Sequence, residues 1–245
     1  MSDFVHLPFA KRSWRHCELL EVFPARGIRI MDLGSGSSPF RGRSIDVVET
    51  VDFSSEADYK IDVVRDWPFT NESFDLVYAS HVIEHFYPRD RDLVVNRIWR
   101  VLRPGGLFFF RVPHKSSIQA TGWEHHTVYG LNAAMSLCHG ANPALPKFEA
   151  VSFGASRINV YGFYEARRFS IDSVLNISHN LTEKLISRLL YGGVSEVQVL
   201  LRRPFQASSG RGHDPGERSH IRGASLSRHR WPAISGAGRG VETST

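Results

Sequence analysis

Apolar positions along this chain gather into short, dense runs. Residues 28–33 (IRIMDL), 47–51 (VVETV), 59–64 (YKIDVV), 74–79 (FDLVYA) and 107–112 (LFFFRV) each read as a strand. The run at 74–79 is apolar on both faces, as a parallel strand covered by helices on both sides requires. The clearest helix is 90–103, where Val94, Ile98, Val101 and Leu102 recur at three- and four-residue steps. Asp90 and Asp92 lie in its first turn and Arg97, Arg100 and Arg103 towards its end, matching the helix dipole, and Pro104-Gly105-Gly106 stops it. A shorter helix is expected at 12–23, closed by Pro24 and Gly27. Strand, turn, helix, strand is the pattern of a right-handed parallel α/β sheet.

Beyond Pro113 the pattern loosens. Helices are expected at 131–138 and 181–190, and strands at 148–153 and 196–201. From Arg203 onward Gly, Ser, Pro and Arg dominate without periodicity, with seven Gly and seven Ser, and this reads as a disordered tail. The expected organisation is therefore a folded body, 1–202, and a tail, 203–245.

Composition narrows the function classes. With 245 residues and 42% apolar content the chain can bury a full core. The net charge of +5 is uneven: the tail carries +4 and the body only +1. The body lacks the basic stripe that a nucleic-acid surface needs, so nucleic acid is not the expected partner. Cys17 and Cys138 are far apart with no metal-ligand spacing, which points to a reducing, cytoplasmic setting. The first thirty residues hold no apolar core of a signal peptide, and no 18-residue apolar run exists, so no membrane span is expected.

The chemistry concentrates where strands end. Gly34-Ser35-Gly36 follows the first strand, and such a turn lets backbone approach a ligand closely. A dinucleotide site wants a third glycine where this chain has Pro39, and a phosphate loop wants a Gly-Lys-Ser/Thr that is missing. Ser38-Pro39 reads instead as a helix N-cap with proline at the first helical position. Asp32, at the end of the first strand, would repel a pyrophosphate but suits a cationic group. Asp52 ends the second strand, where a carboxylate can accept from two ribose hydroxyls, and Asp62 stands where one can accept from an adenine amino group. Three such acids suit an adenosine ligand with a cationic amino-acid tail, which is S-adenosylmethionine.

MDLGSG, VDFSSEADYKID, WPFTNESFDLVYASHVIEH and RIWRVLRPGGLFFFRVP, in this order and spacing, resemble the class I S-adenosylmethionine-dependent methyltransferases, and among them the type 11 methyltransferase domains. The resemblance is strong over 28–113, weaker to about 202 and absent beyond. It implies a Rossmann-like α/β fold, a seven-stranded mostly parallel sheet with the last strand antiparallel and helices on both faces. It implies that Asp32, Gly34, Ser35 and Gly36 surround the methionine part, that Asp52 holds the ribose with Phe53 against the adenine, that Asp62 and Val63 lie by the adenine amino group, and that Ser80 lies near the methyl-donor end. Asp75 is read as a structural acid. Only about ten residues separate Gly36 from the second strand, so the usual first helix must be short and the cofactor more exposed.

On the acceptor side, His81 and His114 follow the fourth and fifth strands and are the candidate general bases. Trp123-Glu124-His125-His126-Thr127 is a candidate acceptor lid. His81-x-x-Glu84-His85 has the spacing of a zinc-protease motif, but that motif belongs on a helix. Some methyltransferases of catechols or RNA ends bind a divalent metal through a similar segment, which His125 or His126 would complete here. Glu84 and His85 are read as structural and no metal is expected. The expected activity is methyl transfer to a small-molecule or glycan-like acceptor. The alternatives are a non-catalytic S-adenosylmethionine-binding module that serves a partner, and an RNA-binding enzyme docked through its tail.

Overall fold

The computed structural model describes residues 10–11, 14, 16–53, 56–131, 136–138, 142–156, 175–182, 184 and 194–205. The expected tail beyond Phe205 and the 185–190 part of the expected late helix lie outside them. Among the described residues eight strands form one sheet: β1 (Ala10–Lys11), β2 (Arg29–Leu33), β3 (Val47–Asp52), β4 (Tyr59–Lys60), β5 (Phe74–Ser80), β6 (Leu102–Pro113), β7 (Glu149–Ser156) and β8 (Glu196–Arg202). Their order is β1-β7-β8-β6-β5-β2-β3-β4. β8 runs antiparallel to both β6 and β7, and the other pairings are parallel. β2 to β8 are the seven strands expected, with the last one antiparallel. β1 adds a two-residue edge beside β7, too short to leave an apolar signature.

Helices cover both faces because strand side chains alternate. On one face α2 (Pro88–Val101) packs Val94, Val95, Ile98 and Val101 with Met31, Leu33, Val77, Phe108 and Phe110. On the other, α1 (His16–Glu21) brings Leu19 and Leu20 onto Ile30, Leu76, Tyr78 and Phe109. Asp75, buried in β5, accepts from the backbone N–H of Arg29 at 2.9 Å and pairs with Arg103 at 2.8 Å and Arg26 at 3.3 Å. It is a structural acid at the amino end of the sheet.

Several element boundaries differ from expectation for local reasons. The helix expected at 90–103 begins at Pro88 and stops at Val101, because Leu102 already pairs with Phe74. Pro104-Gly105-Gly106 therefore lies within β6, and Gly105 and Gly106 exchange backbone hydrogen bonds with Arg203. The strand expected at 59–64 ends at Lys60, since Asp62 folds the chain into a turn: its carboxylate accepts from Val64 N–H and its carbonyl from Arg65 and Asp66 N–H. The body also runs past 202. Arg203 is buried over Trp99, donates to the Leu102 carbonyl and pairs with Glu72 at 2.6 Å.

The helix expected after Ser38-Pro39 does not form. Residues 37–46 cross from β2 to β3 through turns, with Ser38 N–H on the Ser35 carbonyl. Phe40 fills the space instead, stacked 3.8 Å from His16 and tilted against Tyr78 at 4.5 Å, its N–H given to the Asp32 carboxylate at 2.7 Å.

Candidate active site

The carboxyl ends of β2, β3, β5 and β6 meet along one edge of the sheet, the edge where α/β proteins bind ligands. The turn after β2 is built by two glycines in the left-handed region, Gly34 at φ +70° and Gly36 at φ +53°. A side chain at Gly34 would collide with Val82, 2.1 Å from where its Cβ would stand. At Gly36 a Cβ would meet nothing within 4 Å, so this face of the turn is open to a ligand. Gly34 N–H donates to the Val51 carbonyl at 2.7 Å, and Gly36 N–H to Oδ2 of Asp52 at 2.9 Å. Oγ of Ser35 is buried without a hydrogen-bond partner.

Asp32 lies beneath this turn, only 3% exposed. Burial raises its carboxyl, the Phe40 N–H opposes that, and the nearby charge of Asp52 adds to it; the result is about 6. Phe53, beside the half-buried Asp52, projects its ring into solvent at 75% exposure. A large apolar ring held out next to a carboxylate is a platform for a flat heterocycle. An open glycine face, an orphaned hydroxyl, two carboxylates and this ring fit the tail, ribose and adenine of S-adenosylmethionine. At the outer end of the edge, Asp62 is half-exposed and ion-paired with Arg65 at 3.3 Å, while the Val63 side chain is buried in the core. Ser80, at the end of β5, accepts a 2.6 Å hydrogen bond from Nε of Arg111 on β6.

The two histidines have separate fates. His81 sits at φ +57°, an uncommon conformation for a residue with a side chain. Its Nε2 lies 3.0 Å from Oε1 of Glu196 and its Nδ1 3.3 Å from Oε1 of Glu84, both carboxylates being buried. Burial works against its charge, but the hydrogen bonds to Glu196 and Glu84 outweigh it and raise the imidazole to about 9. Both carboxylates thus favour the charged imidazole, with Nε2 hydrogen-bonded to Glu196, which works against a role for His81 as a base at neutral pH. His114 is 0% exposed, with Nδ1 accepting the Ser116 backbone N–H at 3.1 Å. Its ring presents no surface to an acceptor in this structure.

Glu196 escaped the sequence because it lies 115 residues from His81 and joins it only through the antiparallel pairing of β8 with β6. Glu84 was legible, three residues after His81 in the 3₁₀ turn Ile83–His85. The segment after β6 lies over this turn: His126 and Thr127 N–H both donate to the Glu84 carbonyl, at 2.9 and 3.2 Å. His126 stacks on Tyr87 at 3.8 Å, and Trp123 stands 92% exposed.

No curated protein matches the chain. Among solved structures it is similar to a S-adenosylmethionine-dependent methyltransferase from Archaeoglobus fulgidus, with 13% identity, 71% of this chain and 86% of that one covered, and a TM-score of 0.49. It is also similar to phosphoethanolamine N-methyltransferase 2 of Haemonchus contortus, with 16% identity, 76% and 51% covered and a TM-score of 0.48. A third is 1,6-didemethyltoxoflavin-N1-methyltransferase of Burkholderia thailandensis, with 14% identity, 77% and 76% covered and a TM-score of 0.48. Relatives this distant bear on neither substrate nor mechanism. Residues 31–110 match the family model described as a methyltransferase domain, and this stretch runs from β2 through the glycine turn, Asp52 and His81 into β6. Over residues 31–110, then, the chain is similar to a methyltransferase domain.

Proposed function

We propose that this protein binds S-adenosylmethionine across the β2, β3 and β5 ends and presents its methyl group to a small-molecule or glycan-like acceptor. The observation that carries this reading is the Gly36 turn, open on its outer face and hydrogen-bonded to Asp52. When bound, the cofactor supplies an electrophilic methyl group on a sulfonium. In this reading Asp32, Gly34, Ser35 and Gly36 hold the amino-acid tail, Asp52 the ribose hydroxyls, and Phe53 the adenine face. Asp62 and Val63 border the adenine, and Ser80 the donor end. The chain's own contribution is alignment of donor and acceptor, which removes an entropic barrier.

Support for a small acceptor comes from an apolar cleft between Ile83, Phe108, Tyr129, Leu137 and Leu145, with Arg91 at its side. The lid role of Trp123 to Thr127 belongs to the same reading. No described helix is long and apolar enough to cross a membrane. The body, 1–202 with Arg203 to Phe205 added, carries the activity in this proposal; the two distant cysteines favour a cytoplasmic setting.

The test is calorimetric titration with S-adenosylhomocysteine, run beside an Asp52→Ala variant and an NADH control. Micromolar binding that the variant loses supports the reading. No binding by a folded protein overturns it. One observation favours the non-catalytic alternative: with His81 favoured in its charged form and His114 buried, neither histidine is set to serve as base. A labelled-methyl screen of acceptors that already carry a nucleophilic lone pair separates the two readings.

A further inference from the structure

Glu84 is 1% exposed, yet its carboxylate is poorly satisfied. Oε1 lies 3.3 Å from His81 Nδ1, and Oε2, fully buried, has no hydrogen-bond partner. A buried carboxylate oxygen left unpaired is costly and calls for a positive partner. Two imidazoles stand beside it. His85 follows Glu84 in the 3₁₀ turn, and His125 arrives from the loop after β6. One donor atom from each of the three lies within 4.8 Å of the others. The His85 and His125 rings meet edge to face at 4.7 Å.

Two further details match a metal site. Nδ1 of His85 lies 3.2 Å from the Glu124 carbonyl; donating its proton there fixes the tautomer that leaves Nε2 as a lone-pair donor. Metal-ligating histidines are oriented in this way by a carbonyl on their far nitrogen. Nδ1 of His125 is buried with no hydrogen-bond partner. The backbone holds the three together: the loop is tied to the Glu84 carbonyl by His126 and Thr127 N–H, and His125 N–H closes a turn on the Gly122 carbonyl at 2.9 Å. Metal–nitrogen bonds of about 2.0–2.1 Å would bring tetrahedral donors to about 3.4 Å of one another, so closure takes about 1 Å of side-chain movement. His85 is exposed and His125 half-exposed, so both have room for it.

We propose that Glu84, His85 and His125 bind a divalent first-row transition-metal ion. One carboxylate and two imidazoles suit zinc, iron, cobalt or manganese and are a poor match for calcium or magnesium, which prefer all-oxygen shells. Three protein donors leave coordination open to water or to an oxygen of the acceptor. This reverses the sequence expectation of no metal. The ion's place beside His81 gives it an acceptor-side role only if the proposed cofactor reading holds; the binding site itself does not depend on that reading.

The experiment uses untagged full-length protein, stripped with a chelator and titrated with Co²⁺, read by visible absorption and calorimetry. The expected result is one ion per chain with ligand-field bands of a low-coordinate site. His125→Ala and, separately, His85→Ala should each weaken binding at least about tenfold. His126→Ala, which removes the ring stacked on Tyr87 outside the cluster, should bind like the parent. Circular dichroism shows that each variant is folded. No binding tighter than millimolar, or one-to-one binding that survives both variants, overturns the proposal. S-adenosylhomocysteine affinity measured on the same samples reports the cofactor reading separately, so either can fail alone.

Discussion

Oδ2 of Asp52 accepts the backbone N–H of Gly36 at 2.9 Å, so the end of β3 holds the turn that follows β2. The two glycines of that turn should respond differently to one added methyl group. Gly34→Ala drives Cβ into Val82 at 2.1 Å and strains a φ of +70°, so it should destabilise the fold by several kcal/mol. Gly36→Ala meets open space, so only the backbone strain of about 1–2 kcal/mol applies. Thermal melting should separate them, while S-adenosylhomocysteine binding should be lost in Gly36→Ala even where the protein stays folded. A Gly36→Ala variant that binds normally would place the cofactor elsewhere.

Asp32 gives a pH dependence with a defined sign. Folding raises its carboxyl from 3.8 to about 6, so folding favours the protonated form. That contribution is complete below the ordinary value and is lost as pH rises through about 6. The cofactor-free protein should therefore lose about 3 kcal/mol of stability from this group across that interval. Asp32→Asn, whose amide oxygen can still accept from Phe40 N–H, should flatten the step. Affinity for a ligand with a cationic tail should rise over the same interval in the parent and stay flat in the variant. Melting and titration series at closely spaced pH values read both.

His81 should matter to the fold before it matters to turnover. His81→Ala leaves Glu84 and Glu196 buried together without the cation between them, and breaking such a cluster costs about 3 kcal/mol, less here because His81 is one-third exposed. His81→Ala combined with Glu196→Gln removes one of the stranded charges and should recover part of the loss. Denaturant melts of the single and double variants check this; a neutral His81→Ala would mean the clamp is not formed.

The end of the folded body can be tested by truncation. Stopping the chain after residue 202 removes Arg203, with its hydrogen bond to Leu102 and its 2.6 Å pair with Glu72, and should lower the melting temperature by several degrees. Stopping after 206 keeps these contacts and should leave melting and cofactor binding unchanged. Equal melting of the two would put the boundary where composition alone placed it.

Legibility followed the range of the interactions. The strands at 28–33, 74–79 and 107–112 were readable because burial on both faces demands continuous apolar runs. Helix α2 was readable from its 3.6-residue period, but its last residues went to the strand because pairing of Leu102 with Phe74 outweighs helical propensity. The helix expected at Ser38-Pro39 failed for a similar reason. Local capping signals favoured it, yet Phe40 is held by His16, Tyr78 and the Asp32 carboxylate, which come from three separate segments.

The same division runs through the site. The order of motifs from Asp32 to Phe110, the glycine turn and the resemblance to a methyltransferase domain were determined by the sequence, because adjacent residues on one strand and its turn carry them. The charge on His81 was decided only by the tertiary structure, since Glu196 reaches it through antiparallel pairing across 115 residues. So was the meeting of Glu84, His85 and His125, which needs the loop after β6 to bond to the Glu84 carbonyl. A side chain's identity is written locally; its protonation and its ligands depend on which distant groups the sheet brings within a few ångströms.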